Sequence, residues 1–325
     1  MKVAIVGCGT MGRIHAANLA KMPEAELVGA FDVQYAAAQH IADTYGTTAF
    51  HDFDVMMKET DPDIVCVLLQ TPLHRDYVQQ IADYGKHVFC EKPIALQAEE
   101  GRAMAAYCEA KGVRLCIGHV LRFFPNYQDM KRRVDGGEIG RVGVVHTKRV
   151  GPHPGAASAW YHDFEHSGGV IMDLMIHDID FLRWTLGEVE SVYTINYRNS
   201  ELDYALVTLQ FRNKTIANLE AGWGVPEAFR YGIELAGSKG LLRFDSNSAG
   251  SLHIKRAHTQ TAGVAEVAVP QSPTYADPYY RELEHFIAAI THGTPLLITA
   301  EEACTNIEIV RAAIQSAATG LPIYL

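Results

Sequence analysis

Apolar runs alternate with helical periods along the first part of the chain. The apolar runs predict strands at positions 2–6, 26–31, 47–50, 63–69, 86–90 and 113–117. Helical periods fill the intervals, at positions 11–22, 34–44, 52–59, 75–84 and 97–111. Strands that are apolar throughout are buried on both faces, as in parallel sheets flanked by helices. The pattern therefore predicts a doubly wound α/β fold with a parallel sheet.

The pattern changes after position 118. Helices predicted at 127–135 and 169–186 flank a strand at 142–149 and a loop rich in glycine, proline and histidine. Short alternating runs follow at 191–197, 203–211, 215–221, 230–236 and 241–245. Such runs predict an antiparallel sheet with one face covered by helices. Two more helices, at 279–291 and 300–319, close the chain.

The length of the chain and the change in its hydrophobic pattern together indicate two domains. The 325 residues correspond to two domains at about 150 residues each. We expect these domains at residues 1–120 and 121–325, without a flexible linker between them. We also expect the C-terminal helix to pack back on the first domain.

Composition narrows the class of protein. The hydrophobic share is 48 %, and 28 Lys and Arg against 38 Asp and Glu give a net charge of −10, as in a soluble globular protein. An acidic chain without a basic cluster is not expected to bind nucleic acid or an anionic membrane. No apolar run approaches the roughly 20 residues of a membrane span, and the start does not resemble a signal peptide. Six scattered cysteines without a C-x-x-C pair predict reduced thiols in the cytoplasm.

A glycine-rich motif follows the first predicted strand. The segment GCGTMG at 7–12 matches G-x-G-x-x-G and opens a helix, which is the context of a dinucleotide-binding turn. Gly7 permits the tight turn, Gly9 lets a diphosphate approach the backbone, and Gly12 lets the helix pack on the strand. The N–H groups of the first helical turn, at Thr10 and Met11, then face the phosphates. The alternative is a glycine-rich turn without a ligand.

Asp32 ends the second predicted strand, 20 residues after Gly12. A carboxylate at this place accepts hydrogen bonds from an adenosine ribose and repels a 2′-phosphate. The three residues after it include no Lys or Arg. NAD is therefore expected rather than NADP, although Asp32 could also cap the following helix.

Polar residues follow three more of the predicted parallel strands. Ligands of doubly wound sheets bind beyond the carboxyl ends of the strands. We therefore place in a cofactor or substrate site the residues Thr71, Pro72, His74, Glu91, Lys92, His119 and Arg122. From spacing alone, Lys92 beside Glu91 could equally be a solvated ion pair.

The segment GGVIMDLMIHDID at 168–180 places polar residues on one helix face. At 100° per residue, Asp173, His177, Asp180 and Trp184 fall within about 60° of each other. A carboxylate four residues before a histidine can orient the imidazole and raise its basicity. The alternative is an amphipathic helix with an ordinary solvated polar stripe.

The loop before this helix is a candidate for substrate recognition. Aromatic faces suit the apolar face of a sugar ring, and Arg or His side chains suit hydroxyl or anionic groups. The candidates are Arg149, His153, Trp160, Tyr161 and His162; an ordinary surface loop is the alternative. His162 and His166 stand four residues apart, but a metal site needs three or four ligands, so no metal is expected.

Together, GCGTMG, Asp32, the Glu91-Lys92-Pro93 element and the 168–180 segment resemble the glucose–fructose oxidoreductase/inositol dehydrogenase/rhizopine catabolism (Gfo/Idh/MocA) family of NAD(P)-dependent oxidoreductases. The resemblance covers essentially the whole chain. It implies a Rossmann domain for cofactor binding, followed by an α/β domain with a large, mostly antiparallel, open-faced sheet for substrate binding and assembly. It also implies a homodimer or homotetramer formed through that sheet face.

The activity implied by the resemblance is hydride transfer between a nicotinamide and a carbinol carbon of a sugar, inositol or sugar derivative. The family's catalytic residues map onto Lys92, Asp173 and His177, all of which are intact. His177 would take the hydroxyl proton, Asp173 would orient it, and Lys92 would stabilise the alkoxide. Two other classes stay open: a non-enzymatic NAD(P)-sensing regulator, and an NAD-dependent glycosidase of the same fold.

Overall fold

The structure is a computed structural model that describes residues 1–247 and 277–325. Contacts between residues divide it into two units. The first comprises Met1–Phe123 and the described residues from 277 to Glu308; the second begins at Phe124 and also includes Ile309–Leu325. The expected domain limits differ from this division mainly in the placement of residues 277–308, and they stay a prediction.

A six-stranded parallel sheet forms the centre of the first unit. Its strands are β1 Lys2–Val6, β2 Glu26–Phe31, β3 Ala49–Phe50, β4 Ile64–Val67, β5 His87–Glu91 and β6 Leu115–Gly118. They lie in the order β3-β2-β1-β4-β5-β6. The order reverses direction at β1, which is the switch point where such folds bind nucleotides.

Five helices connect these strands. They are α1 Thr10–Leu19, α2 Tyr35–Tyr45, α3 Phe53–Thr60, α4 His74–Asp83 and α5 Ala98–Ala110. Two 3₁₀ turns, Thr71–Leu73 and Val120–Phe123, follow β4 and β6. The buried strands pack under the helices because nearly every strand residue is apolar, as the alternating pattern predicts.

The second unit is built on a seven-stranded mixed sheet. Its strands are β7 Val142–Gly151, β8 Val189–Arg198, β9 Asp203–Phe211, β10 Ile216–Trp223, β11 Arg230–Gly237, β12 Leu241–Asp245 and β13 Ile323–Tyr324. The order is β12-β11-β7-β10-β9-β8-β13, and every neighbouring pair is antiparallel except β7 with β10. The expected mostly antiparallel sheet is confirmed. The sequence pattern did not predict the parallel pair or β13.

Helices cover one face of this sheet. They are α6 Pro125–Asp135, the short α7 Phe164–Ser167 and α8 Ile176–Leu186. The predicted helix at 169–186 is wrong in one respect, because Ile171–Met175 forms a π-helical turn before α8 begins. This insertion changes the angular spacing of the side chains it carries, and π-turns of this kind occur frequently at functional sites.

Two helices follow the gap at 248–276. α9 spans Pro278–His292, and α10 spans Ala300–Thr319. Leu283, Phe286 and Ile287 of α9 join the apolar core of the first unit, which also includes Ile5 and Phe89. None of the described helices combines the length and the apolar character that crossing a membrane requires.

Candidate active site

The glycine loop has the geometry of a diphosphate cradle. Gly7 has a φ of +96°, and a Cβ there would lie 2.5 Å from the carbonyl oxygen of Leu68. A Cβ on Gly12 would lie 2.2 Å from the carbonyl oxygen of Gly7. A Cβ on Gly9 would meet no described atom within 4 Å, so packing does not explain glycine there. Because no side chain in the described part of the chain caps the N-terminus of α1, its N–H groups are available to an anion.

The contrast between two glycines gives a direct test of this cradle. Gly9→Ala is expected to leave the melting temperature unchanged and to weaken NAD binding by more than about tenfold, equivalent to ~1.4 kcal/mol. Gly12→Ala, the matched control, is expected to cost about 1–3 kcal/mol of stability because its Cβ overlaps a backbone oxygen. Calorimetric titration with NAD and thermal unfolding measure the two effects. Unchanged NAD affinity in folded Gly9→Ala would show that the backbone at Gly9 does not bind the diphosphate.

Asp32 lies beside this loop. Its Oδ2 accepts a hydrogen bond from the N–H of Cys8, and its Oδ1 accepts one from the N–H of Gln34, each over 2.8 Å. The N-cap of α2 is Gln34 and not Asp32. The carboxylate is thereby fixed next to the loop, and Val33 beside it is 84 % exposed. Burial, reinforced by Asp32, raises the pKa of the Cys8 thiol to about 12, so this thiol stays protonated.

His74 links the loops after β4 and β5. Its Nδ1 lies 2.9 Å from the carbonyl oxygen of Pro93, and its Nε2 lies 3.0 Å from that of Leu69. Burial lowers the pKa of His74, against the opposite influence of the two carbonyls. Because the side chain is fully buried and both nitrogens face protein oxygens, the structure favours a bracing role over the cofactor contact expected from the sequence. Thr71 is also buried and begins the 3₁₀ turn, in which Pro72 is the second residue.

Glu91 is hydrogen-bonded to His15, a residue that the sequence analysis did not identify. The Nε2 of His15, on α1, lies 2.9 Å from Oε1 of Glu91, and both side chains are buried. The other carboxylate oxygen accepts a hydrogen bond from the N–H of Lys92 over 3.1 Å. Lys92 is half-buried and precedes a cis peptide bond to Pro93. His15 shares a face of α1 with Gly12, and that spacing was the available signal.

His119 and Arg122 lie inside the first unit. Each is 1 % exposed. The guanidinium of Arg122 donates to the carbonyl oxygen of Leu297 and to Oε1 of Glu302, each over 2.9 Å. The ion pair gives Arg122 a partner within the protein, and contact of Arg122 with the cofactor stays a prediction. Contact of His119 with substrate stays a prediction.

In the second unit, the π-turn and α8 carry the candidate catalytic pair. Asp173 lies in the turn and is half-buried, and His177 follows at the start of α8 with 6 % exposure. Asp178 and Asp180 are also buried. The predicted polar stripe is therefore only partly exposed to solvent, because His177 and Asp180 are buried whereas Asp173 and Trp184 are half-buried.

Arg149 does not take the place expected of a substrate ligand. Its guanidinium forms a bidentate ion pair with Asp178, and neither side chain reaches solvent. Burial opposes the charge, but Asp178, together with Tyr127 and Tyr231, outweighs that effect and holds the pKa of Arg149 above its ordinary value. Sequence reasoning could not identify this pair, because the partners are 29 residues apart.

A cavity of about 310 Å³ opens in the second unit beside the loop singled out in the sequence. His153 and Tyr161 line it, and Trp160 packs on Tyr161 with ring centroids 4.6 Å apart. Its other lining residues are His162, Phe164, Gly169, Arg198, Asn199, Ser200 and Asp203. The cavity therefore combines aromatic faces with hydrogen-bonding groups, as carbohydrate sites do.

Two histidines of this cavity stack on each other. The rings of His153 and His162 are nearly parallel, with centroids 4.5 Å apart. Burial, and then the neighbouring His162, lower the pKa of His153, so a neutral ring is favoured there. The N–H of Gly155 donates to Nδ1 of His153. His166 pairs instead with Asp163, and within the described ranges no three His, Cys, Asp or Glu residues cluster as metal ligands.

Comparison with known proteins decides the family. A family model for an oxidoreductase family with an NAD-binding Rossmann fold matches residues 1–119, and the model of its C-terminal α/β domain matches residues 131–325. The chain belongs to the Gfo/Idh/MocA oxidoreductase family. The resemblance seen in the sequence and the expected fold class are thus confirmed. This family member is an oxidoreductase with an NAD-binding Rossmann domain.

Its relatives match over almost their whole length. The chain is 31 % identical to the scyllo-inositol 2-dehydrogenase (NAD(+)) of Bacillus subtilis, over 100 % of this chain and 96 % of the relative. It is 29 % identical to the inositol 2-dehydrogenase of Rhizobium meliloti, over 98 % and 97 %. A solved scyllo-inositol dehydrogenase of Lactobacillus casei, with bound NAD(H) and scyllo-inositol, gives a TM-score of 0.83 at 26 % identity, covering 100 % and 98 %.

Proposed function

We propose that this oxidoreductase oxidises a secondary alcohol of a cyclic polyol of the inositol type. Two inositol dehydrogenases match the chain from end to end, which supports this substrate class. The observation that carries the proposal is the helical segment that begins at Gly169, a lining residue of the 310 Å³ cavity. The same segment continues through Asp173 to His177.

The residues have separate proposed roles. Bound NAD supplies the acceptor for the hydride of the carbinol carbon. The glycine loop and Asp32 hold the diphosphate and the ribose of the dinucleotide. His177 takes the proton of the substrate hydroxyl, and Asp173 keeps the imidazole oriented and stabilises its charged form. Lys92 donates to the substrate oxygen and stabilises its developing negative charge.

The substrate class is tested with a panel of inositols, aldoses and nucleotide-linked sugars at fixed NAD, following the absorbance of the reduced cofactor. Turnover of an inositol with the highest kcat/KM supports the proposal. A preference for an aldose or a nucleotide-linked sugar would contradict it. If the protein retains NAD and cleaves a glycosidic bond without net reduction of the cofactor, it is an NAD-dependent glycosidase. No turnover of any polyol would favour the sensing regulator.

Cofactor preference gives a second test. Asp32→Ser combined with Val33→Arg is expected to reverse the preference from NAD to NADP, because it replaces a repelling carboxylate with a cation at an exposed position. The ratio of kcat/KM for the two cofactors measures the change. Asp43→Ser, which removes an exposed carboxylate of α2, serves as the control and should leave the ratio unchanged. A wild-type enzyme with a lower KM for NADP would overturn the assignment of Asp32.

We infer that the chain assembles as a homodimer or homotetramer through the open face of its second sheet. Large apolar side chains point from this face into solvent, namely Val144, Tyr193, Ile195, Tyr197, Leu206, Ile216 and Leu241. Ion pairs such as Lys148–Glu220 cross the neighbouring strands. An apolar patch of this kind favours a protein partner. Sedimentation at a monomer mass would contradict the proposal.

A cytoplasmic location is proposed from the cysteines. All six are free and buried, in agreement with the reduced thiols expected from the sequence. Burial raises the pKa of Cys66, Cys90 and Cys116, which keeps these thiols unreactive. Recovery of the chain in an oxidising compartment after cell fractionation would contradict this location.

A further inference from the structure

A buried ion pair joins the end of β7 to α8. Nε of Arg149 donates to Oδ2 of Asp178 over 3.0 Å, and Nη2 donates to Oδ1 over 2.9 Å. The hydroxyl of Tyr127 lies 3.4 Å from Nη2, and the guanidinium carbon lies 5.3 Å from the centre of the Tyr231 ring. The side chain of Arg149 is 0 % exposed and that of Asp178 is 1 % exposed. Neither charge is therefore shared with solvent.

Stability alone does not account for this pair. Removing two charges from water is costly, and apolar residues of similar volume often serve a buried position equally well. A bidentate pair supplies geometry instead, because two parallel N–H···O bonds between planar groups fix both distance and rotation. Lysine would keep the charge but lose the fork. The pair thus constrains how α8 is turned about its own axis against the sheet.

The rotation of α8 matters because of its neighbours along the chain. Asp178 directly follows His177, so their side chains leave the helix at roughly 100° to each other. The preceding π-turn contains an extra residue, and the regular α-helical spacing therefore does not fix the angle between Asp173 and His177. A constraint from outside the helix is needed. Arg149 supplies it from β7, which is held between β10 and β11.

We propose that Arg149 and Asp178 are positioning residues that set the rotation of α8 and thereby aim His177 at the reacting hydroxyl. This proposal rests on the proposed role of His177 as the base. It also gives Arg149 a function that differs from the substrate contact suggested by the sequence.

The test uses the full chain with Arg149→Lys, which keeps the positive charge and removes the fork. kcat is expected to fall by about 10²-fold, as for a small misplacement of a catalytic group. The KM for NAD is expected to stay at its wild-type value, because Arg149 lies in the second unit and the glycine loop in the first. The control is Arg183→Lys, in the same helix, whose side chain is 8 % exposed and pairs with Glu188. Its kcat should match the wild type.

A second readout follows His177 without turnover. Long-range proton–nitrogen spectra of the histidine rings identify the His177 signal by its loss in His177→Ala. We expect this signal to shift in Arg149→Lys and to stay in place in Arg183→Lys. A folded Arg149→Lys with native kcat and an unshifted His177 signal would overturn the proposal.

These measurements distinguish failure of the proposed function from failure of the positioning role of Arg149. If the wild-type chain turns over no polyol, the proposed function fails, and the ring signal alone decides whether Arg149 positions His177. If Arg149→Lys does not fold, Asp178→Asn takes its place. This substitution keeps the side-chain volume at position 178 and removes the negative charge of the ion pair. A native His177 signal in Asp178→Asn would contradict the proposal in the same way.

Discussion

Replacing His177 with alanine is expected to lower kcat by about 10²- to 10⁴-fold, the usual effect of removing a general base. The affinity for NAD should stay nearly unchanged, because the glycine loop and Asp32 hold the dinucleotide. Steady-state kinetics on the preferred polyol and calorimetric titration with NAD measure the two quantities. Asp173→Asn should cost less than His177→Ala, since the imidazole remains but loses its orienting charge.

The pH profile separates a base from a merely structural histidine. A protonated imidazole cannot accept the hydroxyl proton, so the kcat/KM of the wild type should fall toward acidic pH. This acidic limb should be absent in His177→Ala. His166→Ala is the matched control, because this exposed histidine pairs only with Asp163 among the described residues. Near-native kcat in His177→Ala would show that the base is elsewhere.

Lys92→Met is expected to lower kcat by about 10²- to 10³-fold, as for the loss of one charged donor to a developing oxyanion. Methionine keeps most of the side-chain volume, so the loss is assigned to the ammonium group. The hydrogen bond from the N–H of residue 92 to Glu91 does not depend on the side chain and should survive. Kinetics on the same polyol and thermal unfolding test this pair of expectations.

A lysine at the opposite end of the same strand provides the comparison. Lys86 precedes β5 and forms an exposed ion pair with Asp61. Lys86→Met should therefore keep kcat and leave the melting temperature close to that of the wild type. If Lys92→Met and Lys86→Met have the same kcat, Lys92 has no part in the chemistry. If Lys92→Met loses activity only through unfolding, its role is structural.

The alternation of apolar runs with helical periods along the chain was sufficient to predict the fold of the first unit. The buried strand β4 is apolar throughout, and β1 is apolar after Lys2, so strands of this type can be predicted from the sequence. The second sheet followed from its period-two runs, but the parallel pairing of β7 with β10 did not. Pairing order depends on contacts distant in the sequence, which a local period does not encode.

The candidate site shows the same limit. The sequence placed Asp173 and His177 on one helix by assuming α-helical geometry, and it could not foresee the π-turn at Ile171–Met175. It also treated polar residues as available to ligands. Arg149 and His74 are instead held by protein partners far along the chain. The sequence alone does not distinguish a polar residue that is buried against a protein partner from one that is available to a ligand.

The central claim is that this chain oxidises a carbinol carbon of an inositol with NAD. The most direct measurement uses an inositol that carries deuterium on its ring carbons, unlabelled NAD and the purified enzyme. Mass spectrometry of the reduced cofactor should show that it has gained the deuterium, together with formation of the corresponding ketone. Release of the deuterium to solvent, or consumption of the inositol without labelled reduced cofactor, would contradict the account.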